Sequence, residues 1–417
     1  MTMSINRDIV IAGGGMVGVS LALHLGVVLP ADTTILLVEG FPFPGVVDGG
    51  RPDYHPAFDA RSTALSYSSR LIYEKMQVWE DLQQWLCAID SIHVSNRGHF
   101  GSTLLNADEY DWPALGYVVE NAWLGKALIQ SLYRQGRVEV RSPAKVVAAA
   151  AAGTGISLQL QGEGETAIDT ALLLVADGAN SGLRDQLGVA VTEKPYDQHA
   201  LVANVASAES HRGCAYERFS DDGPLALLPL LPAAGGEHRS ALVWTLPPEH
   251  AQHLQTCPEQ EFLQTLQERF GYRLGRLLQV GERHNYPLSL IQSTEQVRQG
   301  LVVMGNAAHT LHPVAGQGYN LALRDVAELG NLLAEGMAAG ERLGDLATLQ
   351  RYQQRQQPDQ DRTINFSDRV PALFMRTDPL LGLGRDLALA GLDIIPGLKR
   401  EFVRQAAGVA AMRGQHG

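Results

Sequence analysis

Three short stretches of this chain carry residue types that handle phosphate and ribose. The first is Gly13-Gly14-Gly15-Met16-Val17-Gly18. It follows an apolar run at 7–11 and opens helix-like text at 15–29. A second apolar run, 34–38, ends in Glu39. Strand, glycine turn, helix, strand and terminal carboxylate in this order make a β-α-β nucleotide-binding unit. Gly13 allows the tight turn, Gly15 lets a pyrophosphate approach the backbone, and Gly18 permits close helix–strand packing. The helix start at Met16 offers free N–H groups and a positive dipole end to phosphates. Glu39 can accept both hydroxyls of an adenosine ribose. That suits NAD or FAD and repels the extra phosphate of NADP, and the motif alone does not choose between the two.

Two further stretches also follow apolar runs. Ala176-Asp177-Gly178-Ala179-Asn180-Ser181, with Arg184 beyond, comes after the run at 171–175. Gly305-Asn306-Ala307-Ala308-His309 comes after 301–304 and leads into His312-Pro313-Val314-Ala315-Gly316-Gln317-Gly318-Tyr319-Asn320. In this order the three stretches resemble the fingerprints of the para-hydroxybenzoate-hydroxylase-like flavoproteins. Within that superfamily, 312–325 is similar to the signature of the ubiquinone-biosynthesis hydroxylases. Shorter stretches at 94–99, 217–219, 223–226 and 270–275 resemble the branch that acts on 2-polyprenyl-6-methoxyphenol. The resemblance runs from about residue 9 to about residue 368. Two positions depart from it. Asn306 stands where the family carries an Asp that bonds the ribityl chain of FAD, keeping the length and losing the charge. Ala322 stands where the signature has Gly.

The resemblance implies bound FAD, NAD(P)H and O2 as cosubstrates, and hydroxylation of an aromatic ring through a flavin C4a-hydroperoxide. It implies that Gly316, Gln317 and Gly318 open a helix toward the flavin, with Asn320 in its first turn. Pro313 would shape the loop against the ring, and Gly305 and Asn306 would line the ribityl chain. Arg61 matches the family arginine near FAD and the passing nicotinamide; a surface salt bridge is its competing reading. Asp177, Gly178 and Arg184 match the fingerprint that serves both FAD and NAD(P)H. A phenol must be oriented and made nucleophilic. Tyr216 and His309, then His93 and Tyr286, are candidates by position, and the residues do not settle on a base.

These motifs need a parallel sheet to bring them together. The expected fold class is α/β: a Rossmann-like FAD-binding domain, an inserted mixed or antiparallel β-sheet substrate domain, and a C-terminal helical segment. The expected FAD-binding parts are 1–80, 116–190 and 286–360. The substrate parts are 81–115 and 191–285, and the helical segment is 361–417. Apolar text at 65–86 and 124–133 has helical spacing. An alanine run at 148–152 reads as a loop or strand end in a meander. From about residue 196, short alternating runs predict antiparallel strands, and 260–270 is an amphipathic helix. Residues 318–338 read as a long helix, and 351–361 are polar and Gln-rich.

Composition bounds the rest. The chain has 417 residues, 45% of them hydrophobic, which suggests about two domains. A net charge of −12 argues against a global attraction to nucleic acid. Cys87, Cys214 and Cys257 lie far apart, so no disulfide framework and no metal site is expected, and a reducing cytoplasm fits. No run reaches the ~18 to 20 apolar residues of a spanning helix, so any membrane contact would be peripheral. Residues 225–232 could line a pocket for a prenylated phenol. Residues 380–409 could touch membrane or a quinone-synthesis assembly. The competing readings are a sister hydroxylase acting at another ring position, a flavin-dependent isoprenoid reductase, and a non-catalytic flavin scaffold. The residues leave the oligomeric state open.

Overall fold

The computed structural model describes residues 5–43, 55, 61–96, 102–162, 166–220, 222–233, 235–312 and 316–375. Among these residues three sheets form. The first has eight strands. Its parallel centre runs Leu301–Val303, Thr166–Val175, Ile5–Ala12, Ile35–Val38 and Val138–Arg141. Ile9, Val10, Ile11, Leu36, Leu37 and Leu172 are fully buried, as strands covered on both faces must be. Lys145–Ala152 and Gly155–Gln161 extend this sheet as an antiparallel meander, so the alanine run is strand.

The register matters more than the count. Ala12 pairs with Val175 and with Val38, and Val175 pairs with Val303. The carboxyl ends of four parallel strands therefore stop in one row. Gly13, Asp177, Gly305 and Glu39 each follow within two residues of that row. Open α/β sheets bind ligands in the crevice outside such strand ends.

The second sheet has nine strands. Val191–Ser207, His238–Leu246, Leu225–Leu230 and Cys214–Phe219 form its antiparallel middle. Cys214–Phe219 then pairs in parallel with Ser91–Asn96. One face is sealed by helices Pro248–Thr256 and Glu259–Phe270, with Trp244, Phe262 and Phe270 in the core between them. The other face looks toward a three-stranded sheet of Ser62–Ser66, Gly116–Glu120 and Cys87–Ile89.

One expectation is corrected. The helical text at 65–86 divides into the strand Ser62–Ser66 and helices Tyr67–Lys75 and Trp79–Leu82. Gln77, at φ 60, breaks the run between the helices. The domain boundary expected at 285/286 falls inside the strand His284–Ser293. The boundary expected at 360/361 falls inside one helix, Leu346–Met375. One polar stripe of it faces inward: the Gln356 and Gln360 amides donate to Asp325 at 2.7 and 3.0 Å, and Arg324 donates to Asp359 at 2.6 Å. Buried polar pairing disguised a core helix as surface text. Residues 380–409 lie outside the described residues.

Candidate active site

The first loop is built by steric necessity. Gly13 has φ +107, and a Cβ there would sit 2.5 Å from the Ala176 carbonyl oxygen. A Cβ on Gly18 would sit 1.8 Å from the carbonyl oxygen of Gly13. The helix Met16–Val28 begins at Gly15 with no side-chain cap and no acidic residue in its first turn. Its first N–H groups therefore stay available to an anion. Glu39 is buried, and its carboxylate accepts the Gly14 N–H at 2.5 Å and the Phe41 N–H at 2.8 Å. His55 Nε2 stands 3.8 Å from the same carboxylate. Burial lowers the His55 pKa against the pull of Glu39.

The second and third loops are braced to each other. Gly178 has φ +97 and open space where a Cβ would be. Burial raises the Asp177 pKa, opposed by hydrogen bonds from Ser181 and nearby backbone. Arg184 is buried, and its guanidinium donates to the carbonyl oxygens of Ala179 and Ala307, both at 3.1 Å. It also pairs with Asp185 at 3.2 Å. Arg184 thus holds the two loops together. Gly305 has φ +59 and would place a Cβ 3.1 Å from Val17. Asn306 is exposed at the cavity wall. Pro313 lies outside the described residues.

A second uncapped helix start faces the same cleft. Gly316, at φ +60 and ψ 28, precedes Gln317–Ala338, again without an acidic residue in the first turn. Gln317 is buried, and Gly318 has open space at its Cβ position. Asn320 holds this corner together. Its amide oxygen accepts from Ser66 N at 2.8 Å and Ser69 Oγ at 2.6 Å, and its nitrogen donates to Ala64 and Gly316 carbonyls at 2.8 Å. With its amide so committed, Asn320 positions the helix start. Beneath it, the Tyr319 hydroxyl meets Ser20 at 3.0 Å and Tyr73. Burial pushes Tyr319 up to about 12.

Both helix starts, Asn306 and Gly318 border one cavity of about 1330 Å³, which continues beneath the inner face of the nine-stranded sheet. Arg61 lines it, its guanidinium 5.0 Å from the Tyr286 ring centroid. Arg61 is thus a cavity residue, half-buried beside Tyr286. Two anion-receptive helix starts, room at two glycines and a buried ribose-type carboxylate fit a flavin dinucleotide.

Of the two favoured proton-transfer candidates, Tyr216 borders the cavity and His309 does not. His309 is buried with Nε2 2.9 Å from Asp325 and does not line the cavity. It belongs to the network between the two long helices. The Tyr216 ring packs edge-on against Phe270 at 5.4 Å, on the helix-covered face of its sheet. Burial pushes it up to about 12, unsuited to a base at neutral pH. His93 pairs in register with Tyr216 and shares that face, whereas Tyr286 does line the cavity.

Glu217 and His312 also line the cavity; both lie in motif stretches but carried no assigned role from the sequence. His312 is buried against Tyr196 at 5.2 Å, neither ring nitrogen has a partner among the described residues, and burial lowers it to about 4. The signal for Glu217 was alternation: it shares a strand face with Ala215 and Phe219.

The model of the FAD binding domain family matches residues 105–367, more than half of the chain. Ubiquinone hydroxylase UbiL of Rhodospirillum rubrum is 33% identical over 412 residues, covering 96% of this chain and 89% of its own length. The 3-demethoxyubiquinol 3-hydroxylase of Escherichia coli is 32% identical, covering 96% and 98%. Among solved structures, p-nitrophenol 4-monooxygenase PnpA from Pseudomonas putida superposes with a TM-score of 0.75 at 17% identity, covering 97% and 99%. It shares the fold.

Proposed function

Because this chain belongs to the FAD-binding-domain family of ubiquinone-biosynthesis flavin hydroxylases, we propose that it hydroxylates the ring of a prenylated methoxyphenol with NAD(P)H and O2. The observation that carries this reading is the continuity of the cavity. At about 1330 Å³ it exceeds the roughly 300–1,000 Å³ of an ordinary ligand pocket. It has room for a flavin ring and a second ring beside it.

When bound, FAD supplies the redox and oxygen chemistry. The chain supplies binding, orientation and dryness. Glu39 would hold the adenosine ribose, and the turn at Gly13 with the helix start at Gly15 and Met16 the pyrophosphate. Asn306 would hold the ribityl chain. The helix start at Gly316, Gln317 and Gly318 would stabilise negative charge on the reduced ring. Gly178 would leave room for the cofactor, and Asp177 with Arg184 would keep the middle loop in place. Arg61 would meet the cofactor edge and the arriving nicotinamide. Ala215, Ala226, Leu228, Ala241 and Val243 line the far chamber and exclude water. No described helix is long and apolar enough to cross a membrane. A prenylated substrate would reach the chamber by peripheral contact with the inner membrane from the cytoplasmic side, or within a quinone-synthesis assembly.

A second reading, a sister hydroxylase acting later on the same ring, is favoured by the name of the Escherichia coli relative. Mass spectrometry of quinone intermediates in a strain lacking the gene tests both. Accumulation of 2-polyprenyl-6-methoxyphenol supports the first, and accumulation of a demethoxyquinol the second. Unchanged quinone overturns both.

A further inference from the structure

We propose that Glu217 is the polar anchor of the substrate chamber, its carboxylate receiving the phenolic O–H of the bound ring and taking the proton. This rests on the ring-hydroxylase reading for its choice of ligand.

Glu217 occupies one register row that crosses the nine-stranded sheet. Thr103 pairs with Val94, Val94 with Glu217, Glu217 with Ala226, Ala226 with Val243, Val243 with Val202, and Val202 with His284. All seven residues line the cavity. Glu217 is thus a lone carboxylate flanked by Val94 and Ala226. Its strand neighbours on the same face, Ala215 and Phe219, are buried apolar residues.

Among the described residues its carboxylate has no hydrogen-bond or ion-pair partner. Two cations of the same sheet are engaged elsewhere: Arg239 pairs with Glu120 at 3.2 Å, and Arg218 donates to the Phe270 carbonyl behind the sheet. His93 and Tyr216 lie on that rear face. An unpaired carboxylate in an apolar wall costs stability, and a ligand that brings a donor removes the cost. Because an ionised carboxylate only accepts, the ligand group it fits is an O–H.

The step balances without a further reagent. The phenolic O–H bond breaks, an O–H bond forms on Glu217, and the electron pair stays on the phenolate oxygen, enriching the ring. Burial with no opposing charge holds the Glu217 carboxyl up to about 7. That narrows the gap to a phenol at about 10 and favours transfer near neutral pH.

The test uses the FAD-loaded enzyme with 2-geranyl-6-methoxyphenol and its methyl ether, which lacks the O–H. Binding is read by flavin fluorescence and phenolate formation by ultraviolet difference spectra. The wild type should prefer the phenol to the ether by about 10-fold, the worth of one charge-assisted hydrogen bond. Glu217→Leu should abolish that preference. Glu217→Gln should bind the phenol but show no phenolate band, with kcat lowered roughly 100-fold. Unchanged preference in Glu217→Leu with an unchanged phenolate band in Glu217→Gln overturns the anchor, even if turnover proceeds. If the wild type shows Glu217-dependent preference but forms no oxygenated product, the anchor stands and the ring-hydroxylase reading fails.

Discussion

The buried guanidinium of Arg184 donates to the carbonyl oxygen of Ala307 at 3.1 Å, joining two motif loops 123 residues apart in the chain. The same group holds Ala179. Arg184→Met leaves both carbonyls without this donor, at about 1–3 kcal/mol for each buried group left unpaired. The expected result is a lower melting temperature and FAD retention reduced by at least about 10-fold. Arg184→Lys should recover little, because an ammonium cannot reproduce the fork. Flavin-to-protein ratios after gel filtration check this.

Gly18→Ala tests the first turn. The added methyl would stand 1.8 Å from the Gly13 carbonyl, far inside contact distance, with backbone that cannot swing away. The expectation is loss of bound flavin together with lost thermal stability. Gly182→Ala, at a helix start with open space around it, should leave flavin content unchanged and serves as the control.

Acid lability should come in part from two buried histidines. His24 and His312 each have a pKa lowered by burial from 6.5 to about 4. The unfolded chain takes up protons first, so their contribution is complete above pH 6.5 and is lost as pH falls through about 4. The midpoint of urea unfolding should drop between pH 7 and pH 5. His312→Phe should show a smaller drop than the wild type.

Glu217 works in the opposite sense. Its carboxyl is raised from 4.5 to about 7, so the unfolded chain releases its proton first and stability falls as pH rises through this window. Glu217→Leu should therefore be more stable than the wild type at pH 8, by on the order of 1–3 kcal/mol. Near pH 4.5 the gain should vanish. Paired urea titrations at the two pH values measure it.

Asn306→Asp restores the carboxylate that the family carries. Because Asn306 is exposed at the cavity wall, a charge there remains hydrated and costs the fold little. A carboxylate accepts two hydroxyl hydrogens where the amide oxygen shares its site with a donor. FAD should bind a few-fold tighter, by about 0.5–1 kcal/mol, as read by fluorescence titration of the apoprotein.

The cofactor end of the site was legible in the sequence because it depends on local chemistry. Glycines at positive φ, a strand-end carboxylate and apolar runs of strand length all read out within about 30 residues. The register row Ala12, Val175 and Val303 explains why three distant motifs converge. The substrate end was legible only as texture. Tyr216 and Glu217 are adjacent, and a single step along a strand decides which one faces the chamber. His309 looked like site chemistry because it closes a glycine motif. Its partner Asp325 and the amides of Gln356 and Gln360 come from helices that spacing alone does not bring together. Polar residues that satisfy one another in a core imitate a surface.

Turnover under isotopically heavy oxygen gas tests the central claim most directly. With FAD, NAD(P)H and a prenylated methoxyphenol, the product should be heavier by one oxygen atom drawn from the gas, with NAD(P)H consumed in equal amount. NAD(P)H oxidation that yields peroxide alone, or a substrate reduced in its prenyl tail with no heavy oxygen in the ring, would contradict it.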